Sequence, residues 1–499
     1  MTSTVSPTET LIARHVIGAE SSDTGGGGSW AIVAPATGAP LGTMARGDAA
    51  DVDRAVAVAE DAFRSTWRDL PSVERRAAML AWAAGIEAQV EELARLDTLD
   101  TGKPLGAARA SVLRAAELLR FYAGMVDKIR GSQLPVAPAA LVTTRREPYG
   151  VVGAIIPWNY PASNFMTKVA PILACGNTVV VKPSEQASLV PGRLVEIGLE
   201  SGFPAGVVNV VNGLGAEAGA ALVRHPVVKK IAFTGSTRTG LAIMQGAGDR
   251  VKSFTMELGG KCANIVFPDA DLDAAVPAAA FTAFMNAGQT CTAGSRLLLH
   301  DDIAEEFLTR LIAYTERLVV GDPFDPAVHI GSVVSRQQLD TVMGYLEAAR
   351  SGGAVLRTGG HRVYPTGSEE GFFVAPTVYD RVTPESPLFQ EEIFGPVLAV
   401  TRFADLDEAV ALANGTDYGL AAAVWSRSLD TVRAVSERVD VGLVWVNTVH
   451  AAHPDMPYAG HRQSGVGSEM GAEAVDEYTQ LKSVWLNTGT WASPWGPEA

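Results

Sequence analysis

The sequence predicts an α/β protein built on a parallel, helix-covered sheet, and three observations point there. Apolar runs at 150–156, 178–182, 207–211, 230–233 and 253–256 alternate with helical stretches near 161–173, 188–201, 215–223 and 237–246. Strands that return through helices in this way feed one sheet in the same direction. A length of 499 residues exceeds one typical core and suggests roughly three domains. With 47% hydrophobic and 19% charged residues, the chain is globular, not disordered or fibrous.

Taken in order, residues 1–29 end in Gly25-Gly26-Gly27-Gly28 and are expected to be a flexible lead-in with little packing of its own. Val52, Ala55, Val56, Ala59, Ala62 and Phe63 recur at helical spacing, and the same periodicity covers roughly 73–97 and 106–127. The alternating βα units follow from residue 150. No G-x-G-x-x-G follows the first strand; the nearest match, Phe233 to Gly240, has different spacing and follows the fourth. A second α/β region spans roughly 259–463.

A formal charge of −15 argues against a nucleic-acid partner, which needs a basic face. No run of about 18 apolar residues is present, so no membrane span is expected. The segment Met1-Thr2-Ser3-Thr4-Val5-Ser6-Pro7 has neither a basic nor an apolar targeting region. Cys175, Cys262 and Cys291 show no metal-type pair spacing and cannot all pair with one another, which fits a reducing cytoplasm.

Cys291 lies in Phe284-Met285-Asn286-Ala287-Gly288-Gln289-Thr290-Cys291-Thr292, and Met256-Glu257-Leu258-Gly259-Gly260-Lys261 precedes it in the chain. Together they offer a soft nucleophile and a carboxylate base. The small neighbours let a substrate approach the backbone and leave N–H groups to hold a developing oxyanion. A lone cysteine is ordinarily a buried small hydrophobe, and that reading is kept for Cys175 and Cys262.

With Pro157-Trp158-Asn159-Tyr160-Pro161 and Glu391-Glu392-Ile393-Phe394-Gly395-Pro396, these motifs resemble the NAD(P)-dependent aldehyde dehydrogenase superfamily, in its order and over about residues 30–487. In motif the nearest members are of the betaine-aldehyde and aminoaldehyde type. The resemblance implies a variant doubly wound cofactor domain over 1–128 and 149–258, with an α/β catalytic domain over 259–463. It also implies a small oligomerisation sheet from 129–148 and 478–495, and a return segment over 464–477. An open edge on that sheet implies a homodimer or homotetramer.

By the same resemblance, the Cys291 thiolate adds to an aldehyde, and the Asn159 amide with the Cys291 N–H holds the oxyanion. Hydride passes to NAD, and Glu257 activates the water that breaks the thioester. Retention of Glu257 favours a free carboxylic acid over the CoA-acylating or acyltransferase alternative, and the presence of both groups disfavours a non-catalytic member. Taken alone, Asn159 is a turn residue between prolines and Glu257 a solvated strand end. Lys168 and Glu469 match a pair proposed to relay protons, and alone read as an ordinary salt bridge.

The cofactor positions implied are Ile156, Pro157, Trp158, Lys182, Ser184, Glu185, Gly215, Phe233, Gly235, Ser236, Leu258, Glu392 and Phe394. Lys182 and Glu185 would hold the adenosine ribose, where an acidic Glu185 repels a 2′-phosphate and favours NAD. The aldehyde tunnel should include Tyr160, Ser163, Asn164, Thr167, His450, Ala452 and Tyr458. Relatives acting on cationic aldehydes commonly carry tryptophan where Thr167 stands, so this wall of an aromatic box is missing. No metal is expected: His450 and His453 are close in sequence, but no third ligand is evident.

Overall fold

The computed structural model describes residues 10–248 and 250–496. Its larger sheet has eight strands, in the order Gly465–Val466, Ser253–Glu257, Lys230–Thr234, Val151–Ile156, Thr178–Pro183, Val208–Val210, His15–Ile17 and Glu20–Ser22. The five central strands are parallel. The chain steps outward from Val151–Ile156 through Thr178–Pro183 to Val208–Val210, then crosses to build Lys230–Thr234 and Ser253–Glu257 on the other side. This reversal makes a doubly wound sheet, whose ligands bind beyond the carboxyl ends of the strands at the switch point. Trp158, Gly235 and Leu258 lie at those carboxyl ends.

A seven-stranded sheet has the order Val355–Thr358, Thr377–Asp380, Val397–Phe403, Arg296–His300, Ala263–Val266, Ala421–Trp425 and Leu443–Val446. Only its first strand pairs antiparallel. Its core includes Ile265, Leu297, Leu298, Leu299, Val400 and Val424, all fully buried. The long strands Ala140–Pro148 and Thr479–Asn487 pair antiparallel in register from end to end, and the short Gln133–Leu134 completes a third sheet.

All five strands and four helical stretches expected between 150 and 256 are present within a few residues of the expected bounds. The helix expected over 73–97 is instead two, Ser72–Ala88 and Val90–Thr101, broken where Gln89 leaves helical geometry at φ −115° and ψ 24°. The helix expected to reach 127 ends at Ala123.

The lead-in is a correction. Residues 1–9 lie outside the described residues, but His15–Ile17 is buried throughout and extends the large sheet beside Val210. Gly25 is packed so closely that a β-carbon there would stand 2.3 Å from the Arg46 carbonyl oxygen. Three-residue strands carry too little periodicity to read, and the glycine run serves close packing and not looseness.

Candidate active site

The backbone around Cys291 is set by an uncommon turn. The helix Leu272–Phe284 stops, and Asn286 (φ 51°), Ala287 (φ 54°) and Gly288 (φ 72°) follow in left-handed geometry. For the two residues with side chains this costs about 1–3 kcal/mol each, so the surroundings must enforce it. Asn286 Nδ2 donates to the carbonyls of Asn159 at 3.2 Å and Gln289 at 3.1 Å. Gln289 Nε2 donates to the Asn286 carbonyl at 3.0 Å, and its Oε1 accepts the Val334 N–H at 2.9 Å. A β-carbon at Gly288 would fall 2.1 Å from the Gly395 carbonyl oxygen, so only glycine fits.

Cys291 is half-buried, with Sγ 3.2 Å from the Tyr458 hydroxyl. Burial pushes its thiol up to about 12, and the Tyr458 hydroxyl pulls it partly back by hydrogen-bonding the thiolate. The sulfur faces a cavity of about 1130 Å³ whose wall also carries Glu257, Glu469 and every expected tunnel residue: Tyr160, Ser163, Asn164, Thr167, His450, Ala452 and Tyr458.

Glu257 ends the strand Ser253–Glu257 and is buried; among the described residues neither carboxylate oxygen is in a well-formed hydrogen bond, and the Gly460 N–H favours its ionised form. Desolvation first, and the charge of Glu469 second, hold its pKa well above the ordinary carboxylate range, while Lys168 opposes them. Lys168 and Glu469 form a buried ion pair. Tyr458 and Glu469 exchange backbone N–H to carbonyl bonds at 2.7 Å each way, which fixes them side by side.

Asn159 is buried between the lining residues Tyr160 and Asn164 and the Cys291 loop, though it is not itself among the lining residues. Its Oδ1 accepts Asn164 Nδ2 at 3.1 Å, and its Nδ2 donates to the Gln289 carbonyl at 3.1 Å, leaving a second amide N–H uncommitted.

The expected cofactor residues gather at the carboxyl ends of the doubly wound strands. Lys182 ends Thr178–Pro183 with Nζ 3.0 Å from Glu185 Oε2, and Ser184 Oγ accepts the Gln186 N–H at 3.3 Å. Ser236 caps the ten-residue helix Thr237–Gly246 by accepting the Thr239 N–H. Gly235 donates its N–H to the Glu257 carbonyl at 3.0 Å, and a β-carbon on it would strike the Phe233 ring at 2.5 Å. Trp158 meets Phe394 edge-on at 5.2 Å, and before it in the chain come the buried Ile156 and the half-buried Pro157. Glu392 accepts the Gly260 N–H at 3.0 Å and is raised to about 7 by burial. Gly215 opens a short helical turn, and Leu258 donates its N–H to the Ser464 carbonyl at 2.8 Å.

This cradle fits a dinucleotide. A helix N-terminus and glycine turn suit a pyrophosphate, and the Lys182–Glu185 pair and Glu392 can each meet a ribose diol.

His450 lies in a loop and lines the cavity, as expected for a tunnel residue. It stands on the cavity wall at φ 52° with Nε2 2.8 Å from Thr282 Oγ1, and burial lowers its pKa to about 4. His453 instead caps its own loop, accepting the Asp455 N–H at 3.2 Å. Among the described residues, no cluster of three or more His, Cys, Asp and Glu could hold a metal.

Sequence reading missed Asn286, Gln289 and Thr282, which brace the site, and the wall supplied by Ser111, Arg114 and Leu118. That wall does have helical spacing, yet its mixed polarity gives no sign of which face meets a ligand.

A profile of the aldehyde dehydrogenase family matches residues 23–484. The chain belongs to this family. An aldehyde dehydrogenase from Enchytraeus buchholzi is 42% identical over 472 residues, 94% of each chain. The crystal structure of a putative aldehyde dehydrogenase from Burkholderia cenocepacia superposes with TM-score 0.95 at 42% identity, covering 97% of this chain and 99% of that one. An NAD+ complex of the aldehyde dehydrogenase from Bacillus cereus superposes with TM-score 0.93 at 39% identity, covering 96% and 97%. This aldehyde dehydrogenase thus shares the fold of those enzymes along nearly its whole length.

Proposed function

We propose that this aldehyde dehydrogenase is an NAD-dependent oxidoreductase that converts an aldehyde to a carboxylic acid through a covalent adduct on Cys291. The observation that carries this reading is the meeting of a thiol, Cys291, and a buried carboxylate, Glu257, on one cavity wall.

The Tyr458 hydroxyl stabilises the thiolate form of Cys291, which adds to the carbonyl carbon. The oxyanion that forms is held by the Cys291 N–H and the uncommitted Asn159 amide N–H, and one such donor is worth about 3 kcal/mol in the barrier. When bound, NAD supplies the hydride acceptor that turns the adduct into a thioester. Glu257 then takes a proton from water, the water oxygen bonds to the thioester carbon, and Cys291 leaves as thiolate. A carboxylate whose pKa burial raises above the ordinary range is the stronger base once ionised, which suits this role. Lys168 and Glu469 pass the proton onward from Glu257, supported by Glu469 sharing its cavity. Glu185, beside Lys182, favours NAD over a 2′-phosphorylated cofactor.

The chain works as a homodimer or homotetramer in the cytoplasm. The exposed strand Thr479–Asn487 supports the first, and three unpaired cysteines support the second. No described helix is long and apolar enough to cross a membrane.

With NAD and an aldehyde panel, the wild type should generate NADH absorbance, and Cys291→Ala should lower the rate by about 10⁴ or more. Activity surviving that change overturns the nucleophile assignment.

A further inference from the structure

Three segments wall the outer part of the cavity that holds Cys291: the helix Leu105–Ala123, the last turns of the helix Leu272–Phe284, and the stretch 314–330. The Leu105 N–H donates to the Pro323 carbonyl at 2.9 Å and so latches the first segment to the third. The first lines the cavity with Gly106, Ala107 and Ala110, whose lack of bulk leaves room. The other two bring Phe281 and Phe324, 53% and 36% exposed, and the half-buried Tyr314, Leu318 and Val328 share their wall. Large apolar side chains left facing water at the lip of a cavity mark a surface that a ligand covers.

The polar groups of this outer wall are already answered within the protein. Arg109 makes two bonds of 2.7 Å to Glu91, and Arg114 binds Glu117 at 2.8 Å. The Ser111 and Ser163 hydroxyls bond each other at 3.3 Å. Asp325 accepts the Ala327 N–H at 2.9 Å, and His329 Nδ1 accepts the Val319 N–H at 3.2 Å. What this wall offers a ligand is therefore chiefly carbon. The cavity volume of about 1130 Å³ also exceeds the roughly 300–1,000 Å³ of most small-molecule sites. A short aldehyde seated on Cys291 would leave that apolar surface wet, whereas an extended hydrocarbon chain would cover it.

We propose that this enzyme takes aldehydes that carry an extended apolar tail, which Phe281 and Phe324 hold at the cavity mouth. The proposal rests on reading this cavity as the aldehyde tunnel, and it names the substrate class of that same site. The test measures kcat/KM for unbranched alkanals from ethanal to octanal, in the wild type and in the double variant Phe281→Asn with Phe324→Asn. Both side chains are exposed, so the double change leaves the core intact. In the wild type kcat/KM should rise about two- to fourfold per added methylene, as expected for carrying a CH₂ group out of water. In the double variant the ratio of octanal to ethanal should fall at least about tenfold, through KM more than kcat. Phe281→Leu with Phe324→Leu should keep most of the rise.

A wild-type kcat/KM that stays level or falls with chain length, or a ratio that the double asparagine change leaves unmoved, overturns the proposal. Calorimetric titration of Cys291→Ala with unbranched alcohols from butanol to octanol reads the tail site without turnover. Affinity that climbs with chain length and weakens when both phenylalanines become asparagine supports the proposal. Affinity indifferent to length, or to the two phenylalanines, overturns it. Failure of the wild type to oxidise any aldehyde would count against the Cys291 chemistry instead, and the alcohol titrations would still decide on the tail.

Discussion

Burial holds the Cys291 thiol near 12, so a small fraction is thiolate at neutral pH, and the Tyr458 hydroxyl at 3.2 Å is the donor that favours that fraction. A thiol with a raised pKa gains thiolate about tenfold per pH unit until the pKa is reached. Alkylation of Cys291 by iodoacetamide in the cofactor-free enzyme should therefore keep rising from pH 7 to about 10 without levelling. Tyr458→Phe removes the donor and should slow alkylation roughly tenfold at each pH in that range. A plateau near the ordinary thiol pKa, or a Tyr458→Phe rate equal to wild type, would show that burial and Tyr458 do not govern this sulfur.

At the scale of elements, the turn Asn286–Ala287–Gly288 joins a helix of the seven-stranded sheet's layer to the nucleophile, and its geometry leaves no room for a side chain at Gly288. Gly288→Ala combines a contact with the Gly395 carbonyl and a left-handed φ, so it should destabilise the protein by at least about 3 kcal/mol in a urea melt. A loss under 1 kcal/mol, roughly that of an unremarkable surface change, would mean the turn relaxes easily. The strands from 150 to 256 were legible because long apolar runs between helical periods have few other interpretations. This turn was not: its geometry is braced by groups distant in sequence, the Asn159 carbonyl accepting from Asn286 and the Val334 N–H donating to Gln289. The same holds for the lead-in, where Val16 is buried by pairing with Val210, a partner far along the sequence. Cys291 and Glu257 stood out through their motifs, whereas Phe281 and Phe324 became visible only when the fold set both on one cavity wall.

Across the whole molecule, the proposed chemistry is divided between two sheets: Glu257 ends a strand of the doubly wound sheet, while Cys291 precedes the strand Arg296–His300 of the other. The third sheet projects Leu481, Trp485 and Leu486 into solvent, 54–64% exposed. An apolar edge strand of this kind favours pairing with a second copy. Light scattering after size exclusion should give a multiple of the 52.4 kDa chain, and Leu481→Lys combined with Trp485→Lys should shift it toward the single-chain mass. A wild type of single-chain mass would contradict the assembly. The claim on which the catalytic account turns is that Cys291 carries the acyl group and Glu257 releases it. The direct measurement is intact-protein and peptide mass spectrometry of Glu257→Gln, quenched after mixing with NAD and aldehyde. The account predicts a stoichiometric acyl adduct on the peptide containing Cys291, formed with one burst of NADH and slow to decay; full turnover with Cys291 unmodified would contradict it.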